Sequence, residues 1–188
     1  MLAHIDRTTV KGTRDAALIL IGFASALRRS ELAALTMADI EAKPAGLLIH
    51  LRRSKGDPEA RGQVVGVARG QHLETDPIAT LDAWLGLRGT APGPLFTNAH
   101  HGRVGTRTIT GSGLTDMLKQ RASAAGLPAD RITGHSLRAG HATTAALAGV
   151  DLARIAAQTR HRRISTLVEH YIRPLNALHV TSSRDLGL

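Results

Sequence analysis

The sequence predicts a mainly α-helical domain carrying a small antiparallel β-sheet, and three observations predict it. Apolar residues make up 43% of the chain but aromatics only 2%, so Leu, Ala, Ile and Val must build the core, a mixture that favours helix. Several stretches keep the helical repeat of apolar positions, whereas residues 47–52 and 63–68 read as short strands flanking a polar turn. The length of 188 residues suits one well-buried unit and leaves no room for two cores of ordinary size.

In residues 13–35, Ala17, Leu18, Ile21, Ala24, Leu27, Leu32 and Leu35 recur at helical spacing. The rhythm breaks near residues 28–30, where Ser30, followed by Glu31, is placed to cap a second short helix. The strands at 47–52 and 63–68 enclose the polar run 54–58, which reads as the turn of a hairpin. Asp76 and Pro77 open a helix to about Leu87, since Asp caps well and Pro suits the first helical position; Gly89 ends it. Residues 92–113 read as loop, with a short strand at 94–96, and a helix over 114–125 closes at Gly126. Further helices are expected at 137–148, 152–159 and 165–171, with Gly149 and Pro174 as stops, and the tail 175–188 has no assignment.

Charge narrows the partners. With 24 Lys and Arg against 15 Asp and Glu, the formal net charge is +9, which points to a polyanion, nucleic acid first. The simpler alternative is a generally solvated basic surface. So few aromatics make a poor stacking platform for single strands, so duplex backbone is the expected target. Cys is absent, which excludes disulfides and thiolate metal sites and is compatible with a reducing cytoplasm. The apolar run 16–27 falls short of the ~20 residues of a membrane span and reads as a buried helix. Residues 1–11 lack the features of a signal peptide, so a cytoplasmic protein is expected.

Basic residues gather in four places: residues 26–32 (ALRRSEL), the turn around Lys55, residues 135–138 (HSLR) and residues 160–163 (RHRR), the last shortly before Tyr171 in YIRP. Their order and spacing resemble the signature of tyrosine recombinases of the phage-integrase family, over nearly the whole chain from Thr13 to Pro174. The resemblance implies the integrase catalytic-domain fold over residues 1–174, with 175–188 as a tail for docking on a neighbouring subunit. It implies that Arg28 and Arg138 clamp a scissile phosphate, that Lys55 is the general acid, that His135 and His161 complete the pocket and that Tyr171 is the nucleophile. Glu31, three positions after Arg28, would orient that arginine. Strands of duplex DNA would be broken and rejoined through a 3′-phosphotyrosine by a tetramer on DNA. No metal, nucleotide cofactor or small-molecule substrate is implied, because bond energy is kept in the phosphotyrosine. Relatives usually carry a further helical domain upstream, so the chain is expected to be a fragment or remnant of a larger recombinase.

The residue types suit that chemistry in their own right. Negative charge grows on the nonbridging oxygens during in-line attack at a phosphodiester, and fixed planar donors stabilise it; two arginine forks serve better than lysines. His135 and Arg138, three apart near a helix start, share one side of that helix. A phenol of pKa about 10 must lose its proton to attack, with a neighbouring His as acceptor or organiser, and the more basic leaving 5′-oxygen calls for an acid such as Lys55.

Each residue also has a plainer reading. Arg28 and Arg29 could be a solvated helix end, Arg29 being read as a surface or DNA-contact residue. Arg52 and Arg53 compete with Lys55, and His135 alone would be a capping or core histidine. Tyr171 is the chain's single Tyr, so it is the nucleophile or there is none. Two departures from the family pattern stand out: Arg160 occupies a position where Gly is common, and the step from His161 to Tyr171 is one residue longer than usual. His170 is set aside because neighbours on a helix point apart, and His100 with His101 lacks the acidic partners of a metal site. Two other functions compete with recombination: a DNA-binding regulator or remnant that no longer recombines, and a type IB topoisomerase-like relaxing enzyme.

Overall fold

The computed structural model describes residues 1–52 and 62–169. Lys55, Arg53, His170 and Tyr171 lie outside the described residues, as does the end of the helix expected at 165–171.

Helix α1 (Val10–Ser25) starts a turn earlier than its apolar rhythm because Thr9 supplies the cap, its hydroxyl accepting the Gly12 N–H at 3.1 Å. The helix is buried almost throughout, packing on α3 (Pro77–Arg88), α5 (Ser136–Leu147) and strand β3 (Gln63–Ala68). This is the greasy segment of the sequence, and it forms the axis of the core. Ala26 ends it in the left-handed region at φ 50°. After that reversal comes α2 (Arg29–Ala34), whose N-cap is Arg28 and not Ser30: the Glu31 carboxylate accepts the Arg28 backbone N–H at 2.8 Å, and a carboxylate on the first turn outweighs a serine hydroxyl there.

The expected hairpin is β2 (Gly46–Leu51) and β3, paired antiparallel with Leu47 opposite Val67 and Ile49 opposite Val65. These four face the core, while Val64, Gly66 and Ala68 on the alternate positions face solvent. A third strand, β1 (Ile40–Lys43), extends this sheet on the β2 side; its exposed Glu-Ala-Lys gave no alternation to read. The supposed loop at 92–113 holds a second sheet, β4 (Thr97–His100) and β5 (Arg103–Thr108), and residues 94–96 contribute only a bridge from Pro94 to Thr36. His101 and Gly102 close this hairpin with φ of 50° and 72°, positive at both central residues as a twist-matched two-residue turn requires.

Helix α3 is capped by Asp76, with Pro77 first and Gly89 past its end at φ 79°. Helix α4 (Gly111–Ala124) begins before Leu114 because Thr110 accepts the Gly113 N–H, which outweighs the poor helical propensity of Gly111 and Gly113. Asp15, fully buried on α1, ties these layers together by pairing with Arg14 at 2.6 Å and with Arg121 of α4 at 2.7 Å. A second, smaller cluster, comprising Ala142 of α5, Ile155 and Ala156 of α6 (Leu152–Thr159) and Leu167 of α7 (Ile164–Leu167), holds the C-terminal described helices together. Among the described residues no helix is long and apolar enough to cross a membrane.

Candidate active site

The reversal at Ala26 puts Arg28 at the start of α2, where it is three-quarters buried and held by its own third neighbour. Glu31 accepts Arg28 Nη1 at 2.7 Å through one oxygen and the Arg28 backbone N–H through the other. The carboxylate therefore sets both the main chain and the side chain of this arginine.

Arg138, in the first turn of α5, is 3% exposed. One arm of its fork donates to the Ala26 carbonyl at 2.9 Å, and the other meets His161 Nε2 at 3.4 Å. His161 follows α6, and Thr159 decides how its ring is protonated. The Thr159 hydroxyl lies 2.6 Å from the Ile155 carbonyl, which can only accept, and so gives its single proton there. Its oxygen then accepts from His161 Nδ1 at 2.7 Å. In the neutral ring the proton is thus on Nδ1, and Nε2 turns a lone pair towards Arg138.

Arg160 is the C-cap of α6, at φ 55° and ψ 45°, a region that costs about 1 kcal/mol for a residue other than glycine. Its side chain is 8% exposed and pairs through Nη2 with Glu31, while Nε and Nη1 are buried without a hydrogen-bond partner among the described residues. Burial pulls its pKa down, the Glu31 charge opposes that, and the Arg28 charge reinforces it. An open cavity of about 420 Å³ is lined by Arg28, Arg160 and His161 together with Gln63, Arg162, Arg163 and Thr166. Glu31 is one carboxylate against two guanidinium groups, Arg28 and Arg160, and Arg162 and Arg163 line the same cavity, so this ground is cationic.

His135 is placed differently. It is the exposed N-cap of α5, its N–H donating to Thr133 Oγ1 at 3.2 Å, and it does not line the cavity. Arg29, read as a surface or DNA-contact residue and exposed, lies across Gly134, where an added Cβ would stand 2.7 Å from its Cδ, and donates to Thr115 of α4 at 3.0 Å. It braces the turn that presents His135. Arg160, Thr159 and Arg29 are the contributions that sequence reasoning missed; the only signal for Arg160 was that an arginine stood in a glycine's place. Among the described residues no three His, Asp or Glu side chains gather as a metal site would need.

The Arg138 guanidinium meets the His161 imidazole, and those of Arg28 and Arg160 line the same cavity as that ring; planar donors of this kind suit an oxyanion. The chain belongs to the phage integrase family, whose profile matches residues 1–177. It is 33% identical over 172 residues to an integrase/recombinase xerD homolog of Selenomonas ruminantium, covering 89% of this chain and 49% of the relative. It is 27% identical over 175 residues to the tyrosine recombinase XerC of Syntrophus aciditrophicus (strain SB), covering 93% and 54%. The chain thus spans about half the length of the curated relatives it matches. Its fold is that of the XerA recombinase crystal structure (TM-score 0.71, 19% identity, 98% of this chain and 59% of that one). It is also that of XerH site-specific recombinase in a post-cleavage complex with palindromic difH substrate (TM-score 0.68, 24% identity, 88% and 44%).

Proposed function

We propose that the chain is the catalytic domain of a site-specific DNA recombinase, which breaks and rejoins strands of duplex DNA through a 3′-phosphotyrosine. The observation that carries this reading is that Arg138 meets His161, whose ring lines one open cavity together with Arg28, Arg160, Arg162 and Arg163. The integrase and recombinase relatives and the net charge of +9 support it.

In this reading Arg28 and Arg138 hold the nonbridging oxygens of the scissile phosphate, where charge grows as the nucleophile approaches. The Tyr171 oxygen bonds to phosphorus and the bond to the 5′-oxygen breaks, leaving the 3′-phosphate on the enzyme. The phenol proton passes to or is organised by a histidine, His161 and His135 being the two imidazoles of the pocket. Lys55 supplies a proton to the 5′-oxygen. Rejoining is the same path reversed by another strand's 5′-hydroxyl, so no external energy source is consumed. Residues 1–174 form the catalytic unit, the tail 175–188 docks on a neighbouring subunit, and the working form is a tetramer on DNA in the cytoplasm.

The experiment is trapping on a nicked duplex bearing the native site, in which the cleaved fragment diffuses away. A covalent adduct mapping to Tyr171, lost in Tyr171→Phe with DNA affinity nearly unchanged, is the expected result. Adducts that persist in the variant would show that another group attacks.

A further inference from the structure

We propose that Arg160 is a positioning residue for strand cleavage: by holding the Glu31 carboxylate it fixes Arg28 and keeps the Arg28 charge from being fully neutralised. This rests on the cleavage reading above.

Three observations lead to it. First, Arg160 sits in the left-handed region at φ 55° and ψ 45°, a position that glycine fills without strain. Strain of this kind persists only where the surroundings over-determine it, and an unstrained alternative was a single residue type away. Secondly, the buried side chain leaves Nε and Nη1 without partners among the described residues, a second penalty for keeping a guanidinium there. A residue that costs stability twice is explained by what it does to its neighbours.

Thirdly, what it touches is the residue that sets Arg28. Glu31 gives Oε1 to Arg28 Nη1, and its Oε2 serves both the Arg28 backbone N–H and Arg160 Nη2. With Arg160 present the carboxylate is engaged on both oxygens and divides its charge between two cations. Without it, Glu31 would lose the contact that holds Oε2 from the side opposite Arg28, and a larger share of its charge would fall on Arg28. An arginine already neutralised by its own carboxylate attracts a phosphate less, and one whose fork rotates does not offer fixed donors to the developing charge. Arg160 and Arg28 line the same cavity, so the effect is exerted where a phosphate would lie.

The test is Arg160→Gly, which suits the backbone at that position. Three quantities are measured on the chain with and without the change: the thermal midpoint, the rate of adduct formation on the nicked duplex at saturating DNA together with duplex affinity, and the rotation of the Arg28 guanidinium by nitrogen NMR. The midpoint should hold or rise, while the adduct rate falls about ten-fold with duplex affinity changed by no more than about two-fold, the pattern of an interaction felt mainly in the transition state. Arg28 rotation, slow in the parent, should become fast. Arg160→Lys, which keeps a cation beside Glu31, should recover part of the rate. The proposal is overturned if the glycine variant cleaves at the parent rate, if midpoint, affinity and rate all fall together as for a merely structural residue, or if Arg28 rotates no faster. Should the parent chain form no adduct at all, the cleavage reading fails while the NMR comparison still decides whether Arg160 positions Arg28.

Discussion

Arg138→Lys separates geometry from charge at the centre of the site. The parent guanidinium is 3% exposed and spans two partners, the Ala26 carbonyl at 2.9 Å and His161 Nε2 at 3.4 Å. A lysine ammonium is a single point on a longer stem and cannot take both while also meeting a phosphate. If it satisfies the phosphate, the carbonyl that ends α1 is left buried and unpaired; if it satisfies the carbonyl, the fork on the phosphate is lost. Losing one hydrogen bond to a charged group costs roughly 1.5–3 kcal/mol. At about 2–4 °C per kcal/mol for a domain of this size, the midpoint should drop by roughly 3–12 °C. In the reaction, one transition-state donor is worth about 10²-fold or more in rate, or roughly 2.7 kcal/mol. The expected outcome is therefore a folded variant that binds duplex within a few-fold of the parent and forms adducts on a nicked substrate at least ~10²-fold more slowly. Arg28→Lys should behave alike in rate. Near-parental cleavage by both variants would refute the clamp, since it would mean that positive charge suffices and the planar forks are incidental.

Two other predictions concern the frame around the site. Asp15→Asn leaves Arg14 and Arg121 without their shared buried anion, and breaking such a pair costs about 3–5 kcal/mol, so urea denaturation should show a loss of that order; a loss below about 1 kcal/mol would mean that the network is not holding α1 to α4. His141, on α5 in edge contact with Phe23, has its pKa lowered from 6.5 chiefly by burial, with the Arg138 charge acting the same way and a hydrogen bond to the Phe23 backbone opposing. The unfolded chain therefore takes up the proton first, so stability is complete above about pH 6.5 and declines as pH falls towards the folded-state value. His141→Gln should decline less than the parent in that window, and equal declines in denaturant midpoint would remove His141 as the cause.

Local features were legible in the sequence where the chemistry that makes them is itself local. Helix α6 has the expected bounds because Asp151 caps it and its apolar residues lie at helical spacing. Helix α3 is announced by Asp76 and Pro77, and the hairpin of β2 and β3 by two short runs rich in Leu, Ile and Val around a polar stretch. The elements that escaped are those whose reason lies elsewhere in the chain. β1 is a strand because β2 offers it hydrogen bonds, and α4 reaches back through two glycines because Thr110 caps it.

The same division runs through the site. By itself the sequence determined the family, the helical class with its small sheet and the inventory of basic residues and histidines, since residue identity and short-range order carry that information. Only the tertiary structure decided which of those groups meet: that Arg138 reaches across from α5 to the end of α1 and to His161, that Arg29 braces the turn before His135, and that Glu31 is shared between Arg28 and Arg160. Arg160 lies 129 positions from Glu31, and its left-handed backbone follows from the way α6 ends. A contact at that separation is set by the packing of whole elements around α1, because loop closure lets distant residues meet only after the core has chosen where each helix lies.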